Sequence, residues 1–351
     1  MSSTLPTTQK ALYLLSPKGT FSVAPNDVSS PGEGEVLIRI ESAALNPVDW
    51  KMHDYDFEIP KYPFILGLDS AGVVVAVGGG VTKVEVGDRI LHQGLGNLRQ
   101  AVFQEYTVAS EDLVAKIPSH ISFDEASSLP VAVATAAVGL YAPKAKDGGA
   151  ALIAPWKEGG IGKYADQPIL IIGGSSSVGQ AVIQYAKLSG FNPIITTVSP
   201  SNNDLVKSFG ATHTLDRNKG LDTLGESIKE ISSKPLTVIY DAISLPDTQN
   251  AAYKILADGG TLILVLEEEV KEEDRVRGKD MVTPWGNPPL QGEFGKEIYA
   301  QLGAYLENGD IKPNKVHYVP GGLSSIPDAL DLLRKNKVSG KKVVLRPPQT
   351  V

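Results

Sequence analysis

From Lys10 to about Ile117 the apolar residues come in short blocks, ALYLL, EVLIRIESAAL, AGVVVAVG, DRILHQG, FQEYTVA and DLVAKIP, separated by Pro, Gly, Asn and Asp. Short apolar blocks with turn formers between them predict strands of a twisted antiparallel sheet or small barrel. The pattern changes at Asp124. There DEASSLPVAVATAAVGLY starts acidic and runs on in Ala, Val and Leu, which predicts one or two helices, broken or restarted at Pro130. From Ala142 to Gln167 there is little period beyond ALIAPW, so this stretch is expected to be a surface loop, with Trp156 the residue to watch for a lid or partner contact.

Between Pro168 and Val265 the apolar runs PILIIGG, NPIITTVS, LTVIYDAI and GTLILVL alternate with helix-like stretches such as QAVIQYAKLSG and SNNDLVKSFG. Apolar strands alternating with helices predict a parallel sheet covered on both faces. Beyond it, EEEVKEEDRVRGKD reads as a solvated loop, GKEIYAQLGAYLENGDI as a helix, and IPDALDLLRKNKVSGKKVVLRP as helix, turn and strand. The fold class is therefore α/β: a doubly wound parallel sheet of Rossmann type plus a β-rich domain. A length of 351 residues suits two domains with a ligand cleft between them.

Composition narrows the partners. A net charge of −7 gives no basic face for a phosphate backbone, so a small-molecule substrate is expected rather than nucleic acid. With no cysteine the chain has no disulfide, thiolate nucleophile or Cys-containing zinc site. The polar N-terminus and the lack of any run of about 18 apolar residues point to a cytoplasmic protein without a membrane span; a monomer or homodimer is expected, with nothing in the sequence choosing between them.

The strongest chemical signal is ILIIGGSSSVGQAVIQYAKLSG, where an apolar strand passes through Gly173, Gly174, Ser175, Ser176, Ser177, Val178 and Gly179 into an amphipathic helix. That is the context of a dinucleotide fingerprint, with Ser176 at the middle glycine position. Gly174 is expected to permit the tight turn, Gly179 to let helix and strand approach, and the helix N-terminus to receive a pyrophosphate. A site for NADH usually carries Asp or Glu at the tip of the second strand. Here the tip reads TTVSPSNND, and its neutral donors, among them Ser199 and Asn202, favour NADPH; Arg217 after the following strand is a candidate to approach the adenosine half of the cofactor, or else a solvated surface arginine.

Together with this loop, ALNPVDWK, PFILGLDSAGVVVAVGGGVTKVEVGDRI, SLPVAVATAAVGLY, FGATHTLD, VIYDAIS and SGKKVVL resemble the medium-chain dehydrogenase/reductase superfamily, in its zinc-independent quinone oxidoreductase and enoyl reductase branch. The fungal trans-acting enoyl reductases are the most similar group. The resemblance spans nearly the whole chain and implies a chaperonin-10-like (GroES-like) domain over 1–125 and 312–351, with a Rossmann NADP-binding domain over 126–311. In zinc-dependent relatives a Cys and a Gly-His-Glu triplet supply metal or shell groups. The corresponding stretches here are Asn46-Pro47-Val48-Asp49 and Gly67-Leu68-Asp69, and the five histidines form no i,i+4 pair, so a metal-free enzyme is expected.

Without metal, thiolate or flavin, a reduced nicotinamide has to supply the chemistry, and hydride addition to a C=C conjugated with a carbonyl fits. The candidates for donors and proton source are Asn46, Lys51 and Tyr55; some enoyl reductases use a tyrosine near here, and the position aligned with it is Phe57. Thr135 resembles a family residue near the nicotinamide and phosphate; Ile243, Leu264 and Leu266 sit just after strand ends, where doubly wound sheets bind ligands, and are expected to wall the nicotinamide, and Lys341 in the final turn is expected to reach a phosphate. Three activities stay open at this point: reduction of an enone or enoyl thioester, for example in fungal secondary metabolism; quinone reduction; and cofactor binding without turnover.

Overall fold

Strands β1 (Thr8–Leu14) and β2 (Phe21–Asp27) form an antiparallel hairpin, and β1 also pairs with the short β4 (Phe64–Ile65). The ten-residue β3 (Glu35–Ala44) is apolar at most positions because it serves two cores: Ile40 and Ala43 pack with Leu12, Phe64 and Phe103, while Val36 and Ile38 pack with Val74 and Ile90. Its pairing with β5 (Asp69–Val77) shifts register at Leu37/Ile38 and Ile40/Ser42, the irregularity of β-bulges. With β6 (Arg89–Gln93), β7 (Tyr106–Ser110), β8 (Val114–Lys116), β15 (Lys315–Tyr318) and β16 (Lys341–Leu345) this makes a seven-stranded sheet in the order β15-β16-β3-β5-β6-β8, with β7 also on β3. Its pairs from β3 to β8, and that of β16 with β3, are antiparallel, as the short apolar blocks predict, while the C-terminal strands β15 and β16 pair in parallel.

The structure is a computed structural model and describes residues 5–351. By its internal contacts the chain divides into two units: one takes the described residues up to Val131 together with Tyr299–Asn308 and Pro313–Val351, the other Ala132–Ile298 and Gly309–Lys312. The first unit includes helices α1 (Pro47–Tyr55), α2 (Phe123–Ser127) and α9 (Ile326–Arg334). Helix α3 (Pro130–Tyr141) begins at the proline, whose missing N–H is no loss in a first turn.

The second unit is a six-stranded parallel sheet of β9 (Ile169–Ile172), β10 (Ile194–Val198), β11 (His213–Asp216), β12 (Val238–Asp241), β13 (Thr261–Leu264) and β14 (Asp280–Val282), ordered β11-β10-β9-β12-β13-β14. Numbered from β9, that is the 3-2-1-4-5-6 order of a dinucleotide-binding sheet. Every residue of β9, β10, β12 and β13 is buried, as a strand covered on both faces requires. The covering helices are α4 (Ser177–Leu188), α5 (Asn203–Phe209), α6 (Leu224–Ile231) and α7 (Pro246–Ile255), and α8 (Glu293–Glu307) is divided between the two units.

The stretch 142–167 has neither helix nor strand, as expected. Trp156 is no free lid residue, however. Its ring packs on Tyr141, Tyr185 and Phe294 at centroid distances of 5.5, 6.2 and 5.8 Å, and its Nε1–H donates to Glu297 at 3.1 Å. Aromatic burial and a satisfied indole anchor this loop.

Candidate active site and cofactor loop

The chain leaves β9 through Gly173, whose φ of +77° is a left-handed conformation that favours glycine. This corrects the expectation that Gly174 makes the turn. Gly174 is needed for space instead, because a Cβ there would lie 2.0 Å from Thr196 Oγ1. At Gly179 a Cβ would meet the Gly173 carbonyl oxygen at 2.4 Å and Gly174 Cα at 2.8 Å, so helix and loop touch backbone to backbone. Ser176 caps α4, its Oγ accepting the Gly179 N–H at 3.0 Å. The first-turn amides of Ser177 and Val178 have no acceptor among the described residues and point out of the helix end, where the dipole favours an anion. Ser175, Ser177 and Val178 are each half-buried around this corner.

Strand β10 ends without an acidic residue, whereas β11 ends in Asp216, whose Oδ1 accepts from the Asn218 N–H and side-chain amide, each at 2.9 Å. Half-buried Ser199 follows β10 directly, and Asn202, also half-buried, ends the short 3-10 turn Pro200–Asn202. Arg217 follows β11 with its N–H on the Val198 carbonyl at 3.1 Å, so an exposed guanidinium stem starts beside the β10 tip. On the other side of β9, Ile243 reaches over Gly173, where a Cβ would meet it at 2.5 Å. Ser244 (φ +53°) is held by Asp241, whose Oδ1 accepts both the Ile243 and Ser244 N–H at 2.9 and 2.8 Å. Leu266 is half-buried, but Leu264 is fully buried in the core of the sheet with Leu262 and Ile239, so it is a packing residue with no surface left for a ligand. Thr135 is half-buried on α3, its carbonyl accepting the Tyr240 hydroxyl at 2.9 Å.

In the β-rich unit, α1 begins after Asn46. Asp49 accepts the Asn46 N–H at 2.7 Å, and the Asn46 side chain turns inward. There its Nδ2 donates to Asp69 Oδ2 at 2.9 Å and its Oδ1 accepts from Lys342 Nζ at 2.5 Å. Lys342 Nζ lies 2.8 Å from the same Asp69 oxygen, with the two side chains 3% and 0% exposed. The other Asp69 oxygen accepts the Val131 N–H at 2.7 Å, at the start of α3. Burial, reinforced by the Asp69 charge, pushes the Asp49 carboxyl up to about 7 despite the Asn46 N–H and the Lys342 ammonium, and its Oδ1 has no partner among the described residues. Close by in the sheet, His92 shares a 2.8 Å hydrogen bond with Ser70, and burial lowers its pKa to about 3, so the imidazole is neutral.

Helix α1 is also tied down from outside. Arg334 of α9 makes two bonds to the Asp54 carboxylate at 2.7 and 2.8 Å, and the His53 ring stacks on Phe21 at 5.2 Å. Lys51 is half-buried on this anchored helix, its Nζ 5.8 Å from the Trp50 ring centroid, and burial lowers its pKa. Tyr55, at the last position of α1, is 64% exposed, and Phe57 is half-buried. Of the sequence candidates, then, Lys51 combines a free donor with a fixed helix. Asn46 does not offer its amide as a free donor, because that group is committed to the interior.

Lys341 is exposed, and its neighbour Lys342 is the buried one. Sequence reasoning missed Lys342 and the partnership of Asp69. The signal was there in part: in a strand, adjacent lysines face opposite ways. Extending the β16–β3 register from Val344 opposite Ala44 puts Lys342 opposite Asn46, with the Leu45 N–H on the Val343 carbonyl at 2.9 Å between them.

Comparison with known proteins agrees with this architecture. The alcohol dehydrogenase GroES-like domain matches residues 32–119, and the zinc-binding dehydrogenase domain matches residues 177–273. A trans-enoyl reductase of Aspergillus japonicus is 33% identical over 93% of this chain and 93% of its own length. The protein is a member of the trans-enoyl reductase family. The family lies in the enoyl reductase branch of the medium-chain dehydrogenases/reductases, and the chain is an enzyme of that type. The enoyl reductase component of the lovastatin nonaketide synthase of Aspergillus terreus is 31% identical over 89% of each chain. Among solved structures, an alcohol dehydrogenase superfamily protein from Novosphingobium aromaticivorans shares the fold, with a TM-score of 0.80 at 23% identity over 96% of this chain and 99% of that one. No described helix is long and apolar enough to cross a membrane.

One of the matching domains is named for zinc, yet the donor set here does not fit it. Among the described residues no three His, Cys, Asp or Glu side chains converge into a metal-holding group. Where relatives of the zinc-dependent kind place ligands, the buried oxygens of Asn46 and Asp69 already face an ammonium, which repels a divalent ion.

Proposed function

We propose that this reductase uses NADPH to reduce an activated C=C, as in an enone or enoyl thioester. The observation that carries the cofactor reading is the corner after β9, where unsatisfied first-turn amides lie next to a β10 tip that bears Ser199 and Asn202 and no carboxylate, with Arg217 following β11 and its Asp216 engaged by Asn218. The residues fit the group: Gly173 to Gly179 receive the pyrophosphate, and Arg217 pairs with a 2′-phosphate. Bound there, NADPH supplies the hydride.

On the substrate side, the oxygen that gains negative charge as the C=C is reduced needs a donor. Lys51 is the best-supported one, because its helix is anchored at both faces and an ammonium with a lowered pKa gives up a proton more readily. Tyr55 and solvent remain as sources of the carbon-bound proton. The substrate class rests on the activity for which the similar trans-enoyl reductases are named.

The direct test follows NADPH and NADH absorbance with a panel of enones, enoyl thioesters and quinones. Turnover of enoyl thioesters with NADPH is expected, and the Lys51→Met variant should lose about 100-fold in kcat, the scale of one oxyanion donor. Turnover confined to quinones, or tight NADPH binding with no turnover on the whole panel, overturns the reading.

A further inference from the structure

The cluster around Lys342 lies outside the cofactor loop and was not expected from the sequence. A lysine is rarely so fully buried, and burying an ammonium is unfavourable unless its charge is compensated and its donors are satisfied. Here one carboxylate oxygen of Asp69 and the amide oxygen of Asn46 meet the ammonium at 2.8 and 2.5 Å. The three residues come from far-apart segments: the turn from β3 into α1, the start of β5, and β16. The second Asp69 oxygen extends the cluster to the Val131 N–H at the head of α3.

We infer that the Lys342 ammonium is a built-in cation that replaces a metal ion at this cluster, cross-linking the segments that enter α1 and α3 as a bound ion would. A knot of this kind needs a positive centre and oxygen acceptors, and lysine provides the centre, with two oxygens on it, on a tether already fixed in the sheet through β16. It is available at any metal concentration and cannot be removed by a chelator. Lys342 is thereby a positioning residue for α1, since Asn46 sits at the entry of that helix and is gripped from the inside. The positioning part rests on the role proposed above for Lys51; the cation part does not.

The test compares the wild type with Lys342→Ala and with the double variant Lys342→Met/Asp69→Asn, by thermal melting and by titration with Co2+, whose visible absorption reports inner-sphere binding. Removing the ammonium leaves Asp69 buried and uncompensated, so Lys342→Ala should melt about 10 °C lower than wild type. Added Co2+ or propylammonium should restore much of that loss, and Co2+ should develop ligand-field bands in this variant and not in the wild type. The double variant, with both charges gone, should melt close to wild type and take up no Co2+. A Lys342→Ala protein that melts like wild type, or that neither cation stabilises, overturns the inference, as does a wild type whose Co2+ bands vanish with Asp69→Asn. Should Lys342→Ala fail to fold, the double variant decides: recovery of folding supports the inference and continued failure overturns it. For the positioning role, propylammonium should raise the kcat of Lys342→Ala severalfold while leaving NADPH affinity unchanged, and a purely structural lysine would not give that split. If Lys51→Met proves fully active, the role of Lys51 falls and the positioning part with it, while the melting and Co2+ results still judge the cation.

Discussion

The corner between β9 and α4 prepares for negative charge with backbone, whereas the cluster around Lys342 balances a buried carboxylate with a side chain. The corner contains no charged residue from Gly173 to Gly179; its donors are amides that the helix end leaves free, and its shape depends on side chains that are missing. The Lys342 cluster is made of opposite charges in the interior, where removing one member strands the other. A backbone site tolerates changes of side chain but no added bulk. A side-chain site tolerates bulk poorly and loss of charge worse.

Four experiments bear on that contrast, taken from the largest expected effect to the smallest. The Asp49 carboxyl titrates near 7 in the folded protein and near 4 in an unfolded chain, so between these values the native state holds the extra proton. Its contribution to stability is complete below about pH 4 and is lost as pH rises through 7, by up to about 4 kcal/mol at 1.36 kcal/mol per unit. The groups facing it are Asp69 and Lys342. Melting curves of wild type and Asp49→Asn from pH 4 to 8 should therefore diverge, the variant lacking this downward slope; parallel curves would refute the assignment.

Next, Gly179→Val drives side-chain atoms into the Gly173 carbonyl, and NADPH affinity should fall at least ~100-fold, about 3 kcal/mol, while circular dichroism stays native. Unchanged affinity in a folded variant would remove the corner as the phosphate site. Arg217→Ala should weaken NADPH about tenfold, roughly 1.4 kcal/mol, and leave NADH binding as it was. An equal loss for both nucleotides would place Arg217 away from the 2′-phosphate. The mildest change is Ser176→Ala, which removes the α4 cap and should cost about 1 kcal/mol in denaturant unfolding. A far larger loss would mean that this side chain does more than cap.

The same contrast explains what could be read in advance. The corner is written in seven consecutive residues after an apolar strand, so its place and the doubly wound sheet around it were legible. The antiparallel sheet was also legible, from blocks that alternate with turn formers. Details of the corner were less so: GG gives no sign of which glycine takes the left-handed turn, since that depends on what lies beneath each, Ile243 for Gly173 and Thr196 for Gly174. Leu264 looked like a strand-end residue open to a ligand, and neighbouring core residues covered it. Lysines 341 and 342 are chemically identical in the string, and only pairing with β3 sent one outward and the other into the interior.

By itself, then, the sequence determined the periodicities, the glycine- and serine-rich corner after an apolar strand, the absence of thiols and the acidic charge balance, because each is a property of neighbouring residues or of composition. Tertiary structure decided which polar groups are buried together, and so which are charged, committed or free. Asn46, Asp69 and Lys342 are separated by up to 296 positions along the chain and meet only because β16 returns to pair with β3, and a pairing over that distance leaves no local pattern to read.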